Sequence, residues 1–132
     1  MLTTQTKRLV VAKADYTLIL DFLARNKTLL RDEKNAALLS KIEAAEVVAE
    51  NEFPWEGIRL NTKVVLRDKQ ARLNYTYTVV LPEKADHRKC KVSVLSPIGS
   101  ALFGYRRGDD VFWQTPNGKR YFTIMAVSYY AK

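Results

Sequence analysis

The spacing of apolar residues changes once along the chain, near "NEFPWEG" at residues 51–57. Before that point the period is helical. In "DYTLILDFLARN", Leu18, Ile19, Phe22 and Leu23 fall on one stripe, with Asp15 as the expected N-cap. In "DEKNAALLSKIEAAEVVAE", Leu38, Leu39, Ile42, Ala45 and Val48 do the same, with Asp32 as the expected cap. The intervening "RNKTLLR" is short, so the two helices are expected to form an antiparallel hairpin. Pro54 closes the helical region, because proline disfavours helix at the residue before it.

After the boundary the period becomes two. "RLNYTYTVVL" puts Leu73, Tyr75, Tyr77, Val79 and Leu81 on one face and Arg72, Asn74, Thr76 and Thr78 on the other, as in a half-buried antiparallel strand. "GIRLNTKVVL" puts Ile58, Leu60, Val64 and Leu66 together, and the polar "RDKQAR" joins the two segments as a hairpin. "CKVSVL" reads as a third strand. "VFWQT" and "KRYFTIMAVSY" read as a last hairpin, closed by Asn117–Gly118, the dipeptide favoured in type I′ turns. The pattern therefore predicts an α+β chain: a helical hairpin over 1–56 and an antiparallel sheet domain over 57–132.

The stretch "SPIGSALFGYRRGDD", residues 96–110, interrupts the strands. Ser96 suits an N-cap and Pro97 the first helical position, where no N–H donor is needed. Ile98, Ala101 and Leu102 share one face of a short helix, and Gly104 suits the left-handed residue after it. Each residue type has a structural reason, so the stretch reads as a corner and not as a catalytic loop.

Composition narrows the function. Hydrophobic residues make up 47% and charged residues 27%, an ordinary globular balance. No apolar run approaches the roughly 20 residues that cross a bilayer. The start, "MLTTQTKRLVVAKAD", shows no signal-peptide pattern. Cys90 is the only cysteine, which excludes an internal disulfide and points to a reducing cytoplasm. The net charge of +8 is uneven: eight Lys/Arg and nine Asp/Glu lie in 1–56, against fourteen and five in 57–132. A basic second part suggests an acidic partner, nucleic acid or protein.

Catalytic chemistry is hard to assemble. His87 and Cys90 are the only histidine and cysteine, with no third group indicated to orient a base. Two soft ligands do not make a metal site. The glycines at 99, 104 and 108 lack the GK[ST] of a nucleotide-phosphate loop. No enzyme activity, metal, cofactor or small-molecule substrate is expected.

The order Ser96–Pro97–Ile98–Gly99, Ala101–Leu102, Gly104, Gly108–Asp109, Thr115–Pro116–x–Gly118 resembles the C-terminal domain of the Gre transcript-cleavage factors. The similarity runs over roughly residues 57–130, and the short helical part is most like short-armed members such as the regulator of nucleoside diphosphate kinase. The resemblance implies an FKBP-like domain that docks on bacterial RNA polymerase near its secondary channel. It also implies a coiled-coil-like arm directed at that channel, and members are often described as DNA-binding. In the family, acidic residues at the arm's tip help hold a second catalytic magnesium. Here the tip, Arg31, Asp32, Glu33 and Lys34, sits in a segment, 25–34, with four positive and two negative charges. A first helix of about 12 residues also reaches only about 18 Å. The expectation is polymerase binding without efficient cleavage stimulation. Carried over by position, the docking residues are Asp86, Ser96, Pro97 and Ile98, although Lys84 replaces an acid of the family's acidic loop.

Two other readings stay open. The basic second part, with Tyr105, Trp113, Tyr121, Tyr129 and Tyr130, could bind nucleic acid without polymerase. The implied fold is also that of a prolyl isomerase, but fold alone does not carry activity.

Overall fold

The computed structural model describes residues 9–28 and 33–129, with backbone alone at 33, 34, 36 and 37. The chain divides into two compact units, one within Arg8–Pro54 and the other from Trp55 onward.

The first unit holds β1 (Val10–Ala12), α1 (Lys13–Arg25), α2 (Glu33–Ala44) and β2 (Glu46–Val48). Three expectations need correction here. Asp15 is not the N-cap of α1. Extended Ala12 holds that position without a side-chain hydrogen bond, and Asp15 is buried in the first turn, where its charge suits the helix dipole. The apolar stripe is correspondingly turned: Ile19, Phe22 and Leu23 are buried beside Asp15, while Leu18 is 42% exposed. The second helix stops at Ala44 and does not run to Val48. Val47 and Val48 are β-branched and pair in parallel with Val11 and Ala12, and the Glu46 N–H donates to the Leu9 carbonyl at 2.8 Å. Buried Leu38, Ile42 and Ala45 follow the expected stripe of α2. Asp32 lies outside the described residues.

The second unit is a curled five-stranded sheet with few helices. Its strands are β3 (Thr62–Asp68), β4 (Asn74–Val80), β5 (Lys91–Ser93), β6 (Asp110–Thr115) and β7 (Gly118–Tyr129), in the order β5-β4-β3-β7-β6. The sheet is not wholly antiparallel as expected: β5, only three residues long, pairs with β4 in parallel. A bulge in β7 opposite Val65/Leu66 inserts Met125 between Ile124 and Ala126. Ile58, Leu60, Val64 and Leu66 are all buried, as their spacing predicts, although Asn61 at φ 67° separates Leu60 from the start of β3.

The faces of β4 follow the predicted alternation, but burial does not. Leu73 is 55% exposed and Thr78 is buried. The short helix α3 (Pro97–Leu102) packs on β4, β5 and β6, so the far end of β4 is left open. Thr78 lies between Lys63 of β3 and Lys91 of β5 and donates its N–H to the Cys90 carbonyl at 2.9 Å.

The β6–β7 turn is not type I′. Its two loop residues are Pro116 and Asn117, and only Gly118 has positive φ, 106°. Proline cannot take the positive φ that type I′ demands. Thr115 secures the turn instead. Its hydroxyl accepts from the Asn117 N–H at 3.2 Å and donates to the Gly118 carbonyl at 2.8 Å.

Candidate docking groove

Three of the residues singled out in sequence meet at the start of α3. Ser96 caps the helix by accepting from the Gly99 N–H at 3.0 Å, and its hydroxyl donates to the Ser93 carbonyl at 2.6 Å. The helix start is thereby tied to the end of β5. Pro97 follows, exposed, and Ile98 is half-buried. Gly99 is required at this joint, because a Cβ there would lie 1.9 Å from the Ser93 carbonyl oxygen.

Asp86 belongs to the segment that leads into β5. Its carboxylate accepts from the Arg88 N–H at 3.1 Å and caps a 3-10 turn at His87–Lys89. Its backbone exchanges two hydrogen bonds of 3.0 Å with Lys91. Cys90, at φ 55°, ends the turn.

These elements enclose an open groove of about 620 Å³. Pro97 and Ile98 line it together with His87, Val92, Tyr77 and Trp113. Asp86 itself does not line the groove; its neighbours Ala85 and His87 do. A smaller hollow of about 220 Å³ adjoins it, sharing Tyr77, Ile98, Trp113 and Thr115 and ending at Asp68 and Arg120. The Trp113 ring stacks on Phe122 at 4.1 Å and 6°, which fixes the floor.

The electrostatics are sparse. Asp68 is 1% exposed, and its carboxylate accepts from the Gln70 and Ala71 N–H groups at 2.8 and 3.0 Å while pairing with Arg120. The Ala71 hydrogen bond, helped by Gln70 and Arg120, holds its carboxyl below the usual carboxylate range despite burial. Burial pushes the Tyr77 phenol up, with Cys90 and Tyr75 adding to the effect. Among the described residues no cluster of His, Cys, Asp or Glu could hold a metal. No helix among them is long and apolar enough to cross a membrane. An apolar groove with a hydrogen-bonding rim can receive a protruding apolar side chain of a partner; His87 and Cys90 both line it, but among the described residues no side-chain hydrogen bond joins them as base and nucleophile.

Sequence reasoning missed most of the groove's lining. Trp113 and Tyr77 sit at inward positions of strand patterns and read as core, yet both are half-buried at the edge of the cover that α3 provides. Of the expected tip residues, Arg31 and Asp32 lie outside the described residues, and Glu33 and Lys34 form the start of α2.

Residues 54–129 match the family described as "Transcription elongation factor, GreA/GreB, C-term". Transcription elongation factor GreA of Orientia tsutsugamushi (strain Ikeda) is 31% identical over 106 residues, covering 80% of this chain and 67% of that protein. The regulator of nucleoside diphosphate kinase of Escherichia coli (strain K12) is 30% identical over 82 residues, 62% of this chain and 60% of that one. A solved structure of a prokaryotic transcription elongation factor GreA/GreB from Nitrosomonas europaea superposes with a TM-score of 0.76 at 28% identity, covering 92% of this chain and 99% of that one.

Proposed function

Because the chain belongs to the GreA/GreB family, with a role in transcription elongation, we propose that it regulates elongation by docking on bacterial RNA polymerase near the secondary channel, without efficient stimulation of transcript cleavage. The observation that carries this reading is the groove walled by Ser96, Pro97 and Ile98 inside the matched region. It supplies an apolar seat, and the 86–91 turn supplies polar groups along its other side. Asp86 acts there by holding that turn in shape.

The proposed division is a helical arm over 1–56 and an FKBP-like docking domain over 57–132. The β1–β2 ladder supports an antiparallel hairpin, since it joins the beginning of α1 to the end of α2. The arm is short: α1 has 13 residues, a rise of about 20 Å. Its connecting segment carries more positive than negative charge, a poor environment for a second magnesium. Both features favour occupancy of the channel entrance over cleavage chemistry. The protein would act in the cytoplasm, as a binding factor and not as an enzyme.

The test is binding to purified bacterial core RNA polymerase with a Gre factor as competitor, alongside RNA cleavage in a backtracked complex. Competition without cleavage is expected. Absence of binding at moderate salt would overturn the docking reading, and cleavage at the level of the Gre factor would overturn the second half.

A further inference from the structure

The inner face of the sheet carries the core and the groove. The outer face has different chemistry, and the strand register defines it. Directly paired residues point to the same side of a sheet. Lys63, Val65 and Arg67 of β3 therefore share one face with Thr78, Thr76 and Asn74 of β4, with Lys91 of β5, and with Ser128, Ala126 and Thr123 of β7. The β6–β7 pairs Phe112–Tyr121 and Gln114–Lys119 continue the same face.

Four cations stand on it: Lys63, Arg67, Lys91 and Lys119. None of them pairs with an acid among the described residues. The one acid on the face, Asp110, is already satisfied by Lys69 at 2.8 Å and by the Thr123 hydroxyl at 2.7 Å. Partial burial raises the pKa of this carboxyl, but those two partners bring it below its ordinary value, so it stays ionised and neutralised by Lys69. The face is therefore positive across its width, about 19 Å for five strands.

Aromatic rings lie on the same face. Phe112 and Tyr121 meet at 5.6 Å, and the Lys119 ammonium sits 4.8 Å over the Phe112 ring. Tyr121 is 45% exposed, so its ring is open to a stacking partner. The remaining positions are Asn74, Thr76, Gln114, Thr123 and Ser128, which donate and accept hydrogen bonds, with apolar Val65 and Ala126 and buried Thr78 between them.

We propose that this outer sheet face binds a single strand of nucleic acid, with Lys63, Arg67, Lys91 and Lys119 on phosphates and Tyr121, backed by Phe112, stacking a base. Charge complementarity selects a polyanion. The exposed ring beside the cations selects an unpaired strand, because a duplex keeps its base faces covered. The proposal does not depend on the proposed polymerase docking, although Lys91 and Gln114, at the sheet's edges, also line the docking groove.

The test uses the full chain, without polymerase, and fluorescence anisotropy of labelled 12-residue oligo(dT), oligo(U) and a duplex of equal length. Binding to the single strands is expected, weakening from 50 to 200 mM salt. Tyr121→Ala should weaken it about 5- to 150-fold, the range equivalent to 1–3 kcal/mol for one stacked base. Lys63→Gln and Lys119→Gln should each lower the slope of log K against log salt by about 0.7. Each variant must keep the parent's melting temperature, and Ile98→Asp, in the groove, should leave oligonucleotide binding unchanged. No binding, equal binding by the folded variants, or preference for the duplex would overturn the proposal.

Discussion

The two faces of one sheet are built to opposite rules. On the inner face Val64, Leu66, Val79, Phe122 and Ile124 are buried, and the one acid, Asp68, is enclosed by backbone N–H groups and Arg120. On the outer face Lys63, Asn74, Thr76 and Tyr121 meet solvent, and the one acid, Asp110, is held by a lysine and a threonine at the surface. The strands are the same; in β3 the parity of a residue decides which rules apply, whereas in β4 burial at the end packed by α3 overrides it and takes in Thr78 and Val80. Along β3, inner positions therefore carry the core, while outer positions are less buried.

The sharpest way to break that contrast is at Gly99, where α3 closes the inner face. Gly99→Ala puts a methyl into the Ser93 carbonyl, and neither backbone segment can yield without opening the helix–strand joint. A loss of about 3 kcal/mol or more is expected in denaturant unfolding. Next is the pair Leu66→Ala and Val65→Ala, adjacent residues on opposite faces. The first should cost about 2–5 kcal/mol through a core cavity, the second under about 1.5 kcal/mol. Equal losses would dissolve the distinction.

Those adjacent residues also show what the sequence made legible. Val64 and Leu66 could be assigned inward from period-two spacing alone, and the corner at Ser96–Gly104 from cap, proline and glycine chemistry. The β1–β2 ladder could not. Its strands have three residues each, no turn signal connects them, and "EAAEVVAE" keeps a helical spacing to its end. Only the pairing with Val10–Ala12 decides the matter, and such a distant contact leaves no local pattern. The parallel seat of β5 is illegible for the same reason. The Pro116–Asn117 turn is different: the proline was there to be weighed against Asn117–Gly118. The groove was half legible, because cap residues announce themselves while half-buried aromatics look like core.

The two acids give a finer comparison. Asp68 has a folded pKa below its unfolded value of about 3.9. Its contribution is complete above that unfolded value and is lost as pH falls through the folded one. The stability gap between the parent and Asp68→Asn should thus be widest near neutrality and shrink steadily in acid. Asp110 is shifted the same way, but it and Lys69 are about half exposed. Asp110→Asn should show a smaller gap that also closes with added salt, which the inner pair resists. Urea unfolding across pH 2–7 at two salt concentrations reads both.

The bulge at Met125 has a consequence for how this sequence can change length over generations. Before it, the even-numbered residues Arg120, Phe122 and Ile124 face inward; after it, the odd-numbered Val127 and Tyr129 do, and the Tyr129 hydroxyl reaches the Gly57 carbonyl at 2.7 Å. Losing Met125 would leave every other residue of β7 on its present side. Losing Thr123 instead would shift the phase, exchanging wet and dry positions along half the strand. Length variation in relatives sharing this sheet should therefore collect at the bulge, the one place in β7 where a deletion can be silent.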